Sequence, residues 1–153
     1  MRKYWVILAL MPLFFSCGSR DVYNQFVTMS DNAWHSDSLA RFTFNIEDNT
    51  VNYNILINIR HTDKNPWQNL WLFINKTSPD NIILKDTLMI MIADDFGKWL
   101  GAGSSSVFNK PIVYKANYRF ERTGTYHYSI VHGMRDTTLT GIRNVGLRVE
   151  KIK

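Results

Sequence analysis

"VNYNILINIR" (residues 51–60) alternates with a period of two. Val51, Tyr53, Ile55, Ile57 and Ile59 fall on one side, opposed by Asn52, Asn54, Asn58 and Arg60. Successive side chains of a strand point to opposite faces, so this is the signature of a β-strand with one face buried. Just upstream, "RFTFNIE" (41–47) sets Phe42, Phe44 and Ile46 against Arg41, Thr43, Asn45 and Glu47. The turn-forming cluster "EDNT" (47–50) separates the two runs, which are therefore predicted to pair as an antiparallel hairpin.

The same pattern recurs downstream. "NLWLFIN" (69–75) is apolar on both sides, with Leu70, Leu72 and Ile74 opposing Trp71 and Phe73. A run of that kind is expected to be central or covered on both faces, which assigns Trp71 to the core. "IILKDTLMIMI" (82–92), "IVYKANYRF" (112–120), "TYHYSIVH" (125–132) and "NVGLRVE" (144–150) alternate in turn. About seven or eight strands, short polar loops and no amphipathic helix predict an all-β fold. Its architecture is a single antiparallel β-sandwich, immunoglobulin-like or jelly-roll-like. "RTGTYHY" places Tyr126 two residues after Gly124 at a strand start, the setting of a tyrosine corner.

The N-terminus has a different grammar. Arg2 and Lys3 precede an apolar run from Tyr4 to Phe15, followed by Ser16-Cys17-Gly18. The run is shorter than the roughly 20 residues a membrane helix needs and is interrupted by Pro12, so it reads as a cleaved export signal. "FFSCG" around Cys17 resembles the lipobox of bacterial lipoproteins, with Phe14 where leucine is usual. That resemblance implies acylation of Cys17 and cleavage after Ser16. The expected organisation is a signal peptide over 1–16, a lipidated N-terminus and polar tether over 17–30, and a sandwich domain over 31–153.

Composition narrows the function. Cys17 is the sole cysteine, so no intramolecular disulfide or CxxC metal site can form. The net charge of +5 becomes +3 once Arg2 and Lys3 leave with the leader, and no Lys/Arg run remains. Nucleic acid is therefore not an expected partner. Asp95-Phe96-Gly97 matches a kinase tripeptide without the rest of the kinase signature, and "GAGSSS" (101–106) lacks the third glycine of a dinucleotide loop. Asp94 and Asp95 lack the spacing of a calcium loop. The stretch 93–103 reads instead as an irregular loop, with Trp99 and Leu100 folding back as a lid.

His35, His61, His127 and His132 are scattered, with no HExxH, and His127 and His132 are expected at the surface or a strand edge. No G-x-S-x-G is present; carboxylates brought together from separate loops are the one catalytic arrangement left open. No catalytic residue, cofactor or metal is assigned, and the chain is not expected to be an enzyme. The candidate partner-binding residues are Lys98 and Trp99 in the 93–103 loop, Trp67 after Pro66, and Arg135 beside Met134. Aromatic rings serve protein interfaces and sugar faces alike, so a glycan-binding module is the alternative.

Beyond these inferences, the whole mature chain resembles the gliding-motility lipoproteins of the GldH type, from the Bacteroidota. The resemblance rests on "NAWHSDS" (32–38), "YNILINIRHT" (53–62), "NLWLFI" (69–74), "DTL" (86–88), "ADDFGKWLGAG" (93–103), "GTY" (124–126), "MRD" (134–136) and "LTGIRNVGLRVE" (139–150). It implies a membrane lipoprotein that assists gliding, the associated protein secretion or envelope assembly, without catalytic residues, by binding other envelope proteins. Cys17 is the one functional position that maps onto this chain. Surface-exposed lipoproteins of that phylum commonly carry an acidic cluster after the cysteine. Here Asp21 stands alone, offset by Arg20, which points to an outer-membrane anchor facing the periplasm.

Overall fold

The computed structural model describes residues 20–104 and 106–152; the expected leader and Cys17 lie outside them. The strands are β1 (Asp21–Thr28), β2 (Ala33–His35), β3 (Ala40–Ile46), β4 (Tyr53–Thr62), β5 (Asn69–Thr77), β6 (Ile83–Met91), β7 (Ala102–Ser104), β8 (Val107–Tyr118), β9 (Gly124–His132), β10 (Thr138–Thr140) and β11 (Ile142–Lys151). They form a five-stranded sheet in the order β1-β11-β4-β8-β7, a four-stranded sheet β3-β9-β5-β6, and a short β10-β2 ladder, with antiparallel pairing throughout. The two larger sheets bury their facing sides against each other, as expected of a sandwich. Among the described residues the only helical piece is one 3-10 turn at Ser30–Asn32, and no helix is long and apolar enough to cross a membrane.

All seven alternating runs are strands. The total is larger because β2, β7 and β10, three residues each, are too short for alternation to register. The other addition corrects the expected tether: residues 21–28 are β1, paired with β11 from Asp21↔Glu150 to Thr28↔Asn144. As an edge strand β1 is paired along one side only, so its sequence need not be strongly apolar. The predicted hairpin is also corrected, since β3 and β4 belong to different sheets. Their connection is held by Asp48, whose Oδ1 accepts from Thr50 N (2.9 Å) and Thr50 Oγ1 (2.6 Å), while its carbonyl accepts from Tyr53 Oη (2.6 Å). The strands consequently face each other across the core instead of pairing edge to edge.

The core follows from the alternation. Ile55, Ile57 and Ile59 of β4 and Val145, Leu147 and Val149 of β11 are buried from one sheet. Phe42, Phe44, Leu70, Leu72, Ile74 and Ile130 meet them from the other. Each such side chain contributes about 1.5–3 kcal/mol on burial. Tyr126 is buried and its Oη donates to Arg122 O at 2.8 Å, so the tyrosine corner is present.

The sandwich has two distinct ends. At the turn end, Asp21 pairs with Glu150, Lys151 with Tyr53 and Tyr53 with Tyr118, and the β3–β4, β5–β6 and β8–β9 turns gather. At the opposite end, β5 begins, and β6 and β9 finish, with Asn69↔Met91 and Leu72↔His132 as neighbours.

Candidate functional site

The inner face of β5 behaves as its sequence predicts: Leu70, Leu72 and Ile74 are buried. Its outer face does not. Trp71 is 45% exposed and Phe73 47%, so the assignment of Trp71 to the core is corrected. No further sheet among the described residues lies over the outer side of the four-stranded sheet at this end. Cross-strand register adds Met89 opposite Trp71, Met91 opposite Asn69, and Val131 opposite Phe73. Met89 and Met91 are themselves exposed, which makes the patch continuous across β6, β5 and β9.

An open cleft of about 530 Å³ adjoins this patch, lined by Trp67, Asn69, Trp71, Gly133, Met134 and Arg135. The loop after β9 is fixed to β5 by its backbone. Gly133 N donates to Trp71 O at 2.7 Å, and Trp71 N donates to Met134 Sδ at 3.3 Å. Gly133 allows the approach, because a Cβ there would meet the Phe73 ring at 2.7 Å. Trp67 is half-buried against the core, its carbonyl held by Asn65 Nδ2 at 3.0 Å. Arg135 is exposed on the rim. The cleft thus has rigid aromatic walls, one methionine side chain that can adapt its shape, and a cation at the edge. Docking surfaces on proteins combine these elements, and Trp, Met and Arg are enriched there.

Of the four partner-binding candidates, Trp67 and Arg135 meet in this cleft, and Lys98 and Trp99 lie elsewhere. Asp94 Oδ1 accepts from Phe96 N (3.0 Å) and Lys98 N (2.9 Å), which curls 94–98 into a tight turn. Trp99 folds back as expected, edge-on to His61 with ring centroids 4.8 Å apart and 6.0 Å from Phe108. It is a half-buried lid, and the exposed ring of that loop is Phe96, at 96%. Sequence reasoning passed over Trp71, Phe73, Met89 and Met91. The signal available is the second apolar face of "NLWLFIN", which is equally consistent with burial.

His61 and His132 are both buried, which corrects the edge placement of His132. Burial lowers both pKa values below the ordinary 6.5. His132 Nε2 lies 3.1 Å from Trp34 O, and His61 Nδ1 lies 3.2 Å from Thr62 O. His127 is exposed as expected, 3.0 Å from Thr43 Oγ1.

Ionisable side chains also converge in a cavity of about 260 Å³ between β6 and β8. There Asp86 Oδ2 accepts from Lys115 Nζ at 2.8 Å and from Tyr114 Oη at 2.9 Å, and Lys76 Nζ donates to Tyr118 Oη at 2.8 Å. Those donors hold the Asp86 carboxyl below its usual range, while burial pushes the Tyr114 and Tyr128 phenols upward. Asp86, Tyr114, Lys115, Lys76 and Tyr118 are thus each engaged by another, which suits a polar seam joining the sheet edges better than an acid or base poised for chemistry. Among the described residues no three His, Cys, Asp or Glu side chains come together as a metal site.

A family model described as GldH lipoprotein matches residues 21–149. The chain is 32% identical to a "Gliding motility lipoprotein GldH homolog" of Christiangramia forsetii, over 96% of this chain and 94% of the relative. It is 29% identical to the "Gliding motility lipoprotein GldH" of Flavobacterium johnsoniae, over 95% and 94%. Among solved structures, a chain of the infectious bursal disease virus Gx strain aligns at 14% identity with a TM-score of 0.33. That alignment covers 84% of this chain and 32% of the viral one, and carries no functional argument.

Proposed function

The chain belongs to the GldH lipoprotein family, and on that premise we propose that it is a non-enzymatic accessory of the gliding and secretion apparatus that docks a protein partner in the Trp67–Trp71–Arg135 cleft. Acylated Cys17 anchors it to the outer membrane, and the body faces the periplasm. The observation that carries this reading is the exposed pair Trp71 and Phe73, rigidly seated on a central strand and flanked by methionines. Two large rings left in water on a folded sheet are costly unless something covers them. The lone Asp21 after the cysteine, offset by Arg20, supports the periplasmic face.

Crosslinked co-purification of the lipidated protein from its native envelope tests the reading. Motility or secretion components should be recovered with the wild type and lost with Trp71→Ala. Their equal recovery with both would remove the cleft from the account. The glycan reading rests on the same two rings, since exposed aromatics spaced along one strand face can stack on sugars. Retention on polysaccharide that Trp71→Ala abolishes, with no protein recovered, would replace the protein partner by a carbohydrate.

A further inference from the structure

The pairing of β1 with β11 ties the chain into the folded body from Asp21 onward. β1 starts at Asp21, and Arg20 is already tied to the last strand, its carbonyl accepting from Lys151 N at 2.8 Å. Only Gly18 and Ser19 separate Arg20 from Cys17. With 3.8 Å between successive Cα atoms, Cys17 therefore lies within about 11 Å of Arg20 however the link is drawn. A bilayer's headgroup layer is about 5–8 Å deep on each side, the difference between a ~30 Å core and a 40–45 Å membrane. A body held on so short a leash rests against that layer.

Asp21 sits at the turn end, so this is the end brought to the lipid. Across the sandwich from it, the β5–β6 turn presents Ile82 and Ile83, 51% and 60% exposed. The turn is a fixed tip. Ser78 N donates to Ile82 O at 3.0 Å, Ser78 Oγ donates to Asp80 Oδ1 at 2.6 Å, and Pro79 lies against Gly124. Asp80 pairs with Arg122 (3.0 Å), Asp48 with Lys151 (3.1 Å) and Asp21 with Arg148 (2.8 Å), so the carboxylates of these three residues are already matched to cations of the fold.

We infer that the sandwich stands end-on, with the lipid at Cys17 and the Ile82–Ile83 tip as two footholds on the same membrane surface. The inference rests on the acylation of Cys17 proposed above. The tip enters the boundary between headgroups and acyl chains by burying apolar area. Because the tip offers apolar side chains and its Asp80 is already paired with Arg122, its contact does not depend on anionic lipid. The cleft then points away from the bilayer, at the far end of strands of ten residues, about 30 Å out at 3.4 Å per residue. Its partner is met in the aqueous compartment and not in the membrane plane.

The test uses the full chain, expressed with its leader and carrying Ile82→Cys or Phe96→Cys. Acylated Cys17 leaves the introduced thiol as the one free cysteine, which takes an environment-sensitive fluorophore. Mass spectrometry first establishes the acyl groups; their absence overturns the anchoring premise, and this inference with it, before any vesicle is used. In vesicles of phosphatidylcholine and phosphatidylethanolamine bearing headgroup nitroxides, emission from position 82 should fall roughly twofold or more, as for a side chain within 5–10 Å of that boundary. Position 96, at the far end, should be unchanged. Equal quenching at both positions, or none at 82, in a protein shown to be acylated overturns the end-on stance alone. Shielding of position 82 that appears in detergent and grows with protein concentration assigns the tip to a second copy, and also overturns it. Ile83→Cys repeats the measurement one residue along.

Discussion

The two ends of this sandwich use aromatic side chains in opposite ways. At the turn end the rings pack on one another: Phe120 lies 4.7 Å from Tyr126, 5.3 Å from Tyr53 and 6.0 Å from Phe44, and all four are buried. The phenols there are satisfied by backbone, through Tyr126 Oη to Arg122 O and Tyr53 Oη to Asp48 O. At the cleft end Trp71 and Phe73 are each nearly half exposed to water. The difference teaches that an aromatic side chain's role follows from what faces it. A second sheet lies over the first group, and none lies over the second.

Truncating a ring at the turn end should have the largest effect. Phe120→Ala removes the hub of that cluster and should cost about 3–5 kcal/mol of stability, read as a drop in the urea midpoint. Trp71→Ala should do the reverse. Its stability should stay within about 0.5 kcal/mol of wild type, while partner recovery falls by the equivalent of about 2 kcal/mol or more. A large loss of stability from Trp71→Ala would break the contrast between the ends.

Tyr126→Phe sharpens it further. This removes one buried hydroxyl and its bond to Arg122 O and should lower stability by about 1–1.5 kcal/mol, with partner recovery unaffected. The smallest effect concerns pH. His61 and His132 are held neutral by burial, with folded pKa values below the ordinary 6.5. Above that value neither the folded nor the unfolded form is protonated, and the contribution of these histidines is complete. As pH falls through 6.5 the unfolded chain takes up protons first, so stability declines. Thermal midpoints should therefore drop between about pH 7.5 and about pH 5.5, and a flat profile would show that these rings accept protons in place.

Much of the fold was legible because a half-buried strand writes its alternation into the chain. β3, β4, β5, β6, β8, β9 and β11 could each be read in this way, as could Tyr126 after Gly124 and the folding-back of Trp99. β1 was not legible, since an edge strand takes its hydrogen bonds from β11 and needs little apolar content of its own. His132 looked like an edge residue until the β10–β2 ladder placed Trp34 beside it, with ring centroids 5.3 Å apart. Of the candidate site, Trp67 and Arg135 could be picked out singly as exposed loop residues. That they share one cleft depends on the loop after β9 being bonded to β5.

By itself, the sequence determined the all-strand fold and the family, because periodicity and short motifs are local properties of a chain. Only the tertiary structure decided which apolar face is covered, which strands cross between sheets, and how little slack separates Cys17 from the folded body. Those depend on residues far apart in sequence. "NLWLFIN" has the same two apolar sides whether or not another layer lies over the second. Burial is a property of the neighbours, and the neighbours of Trp71 are chosen by the whole fold.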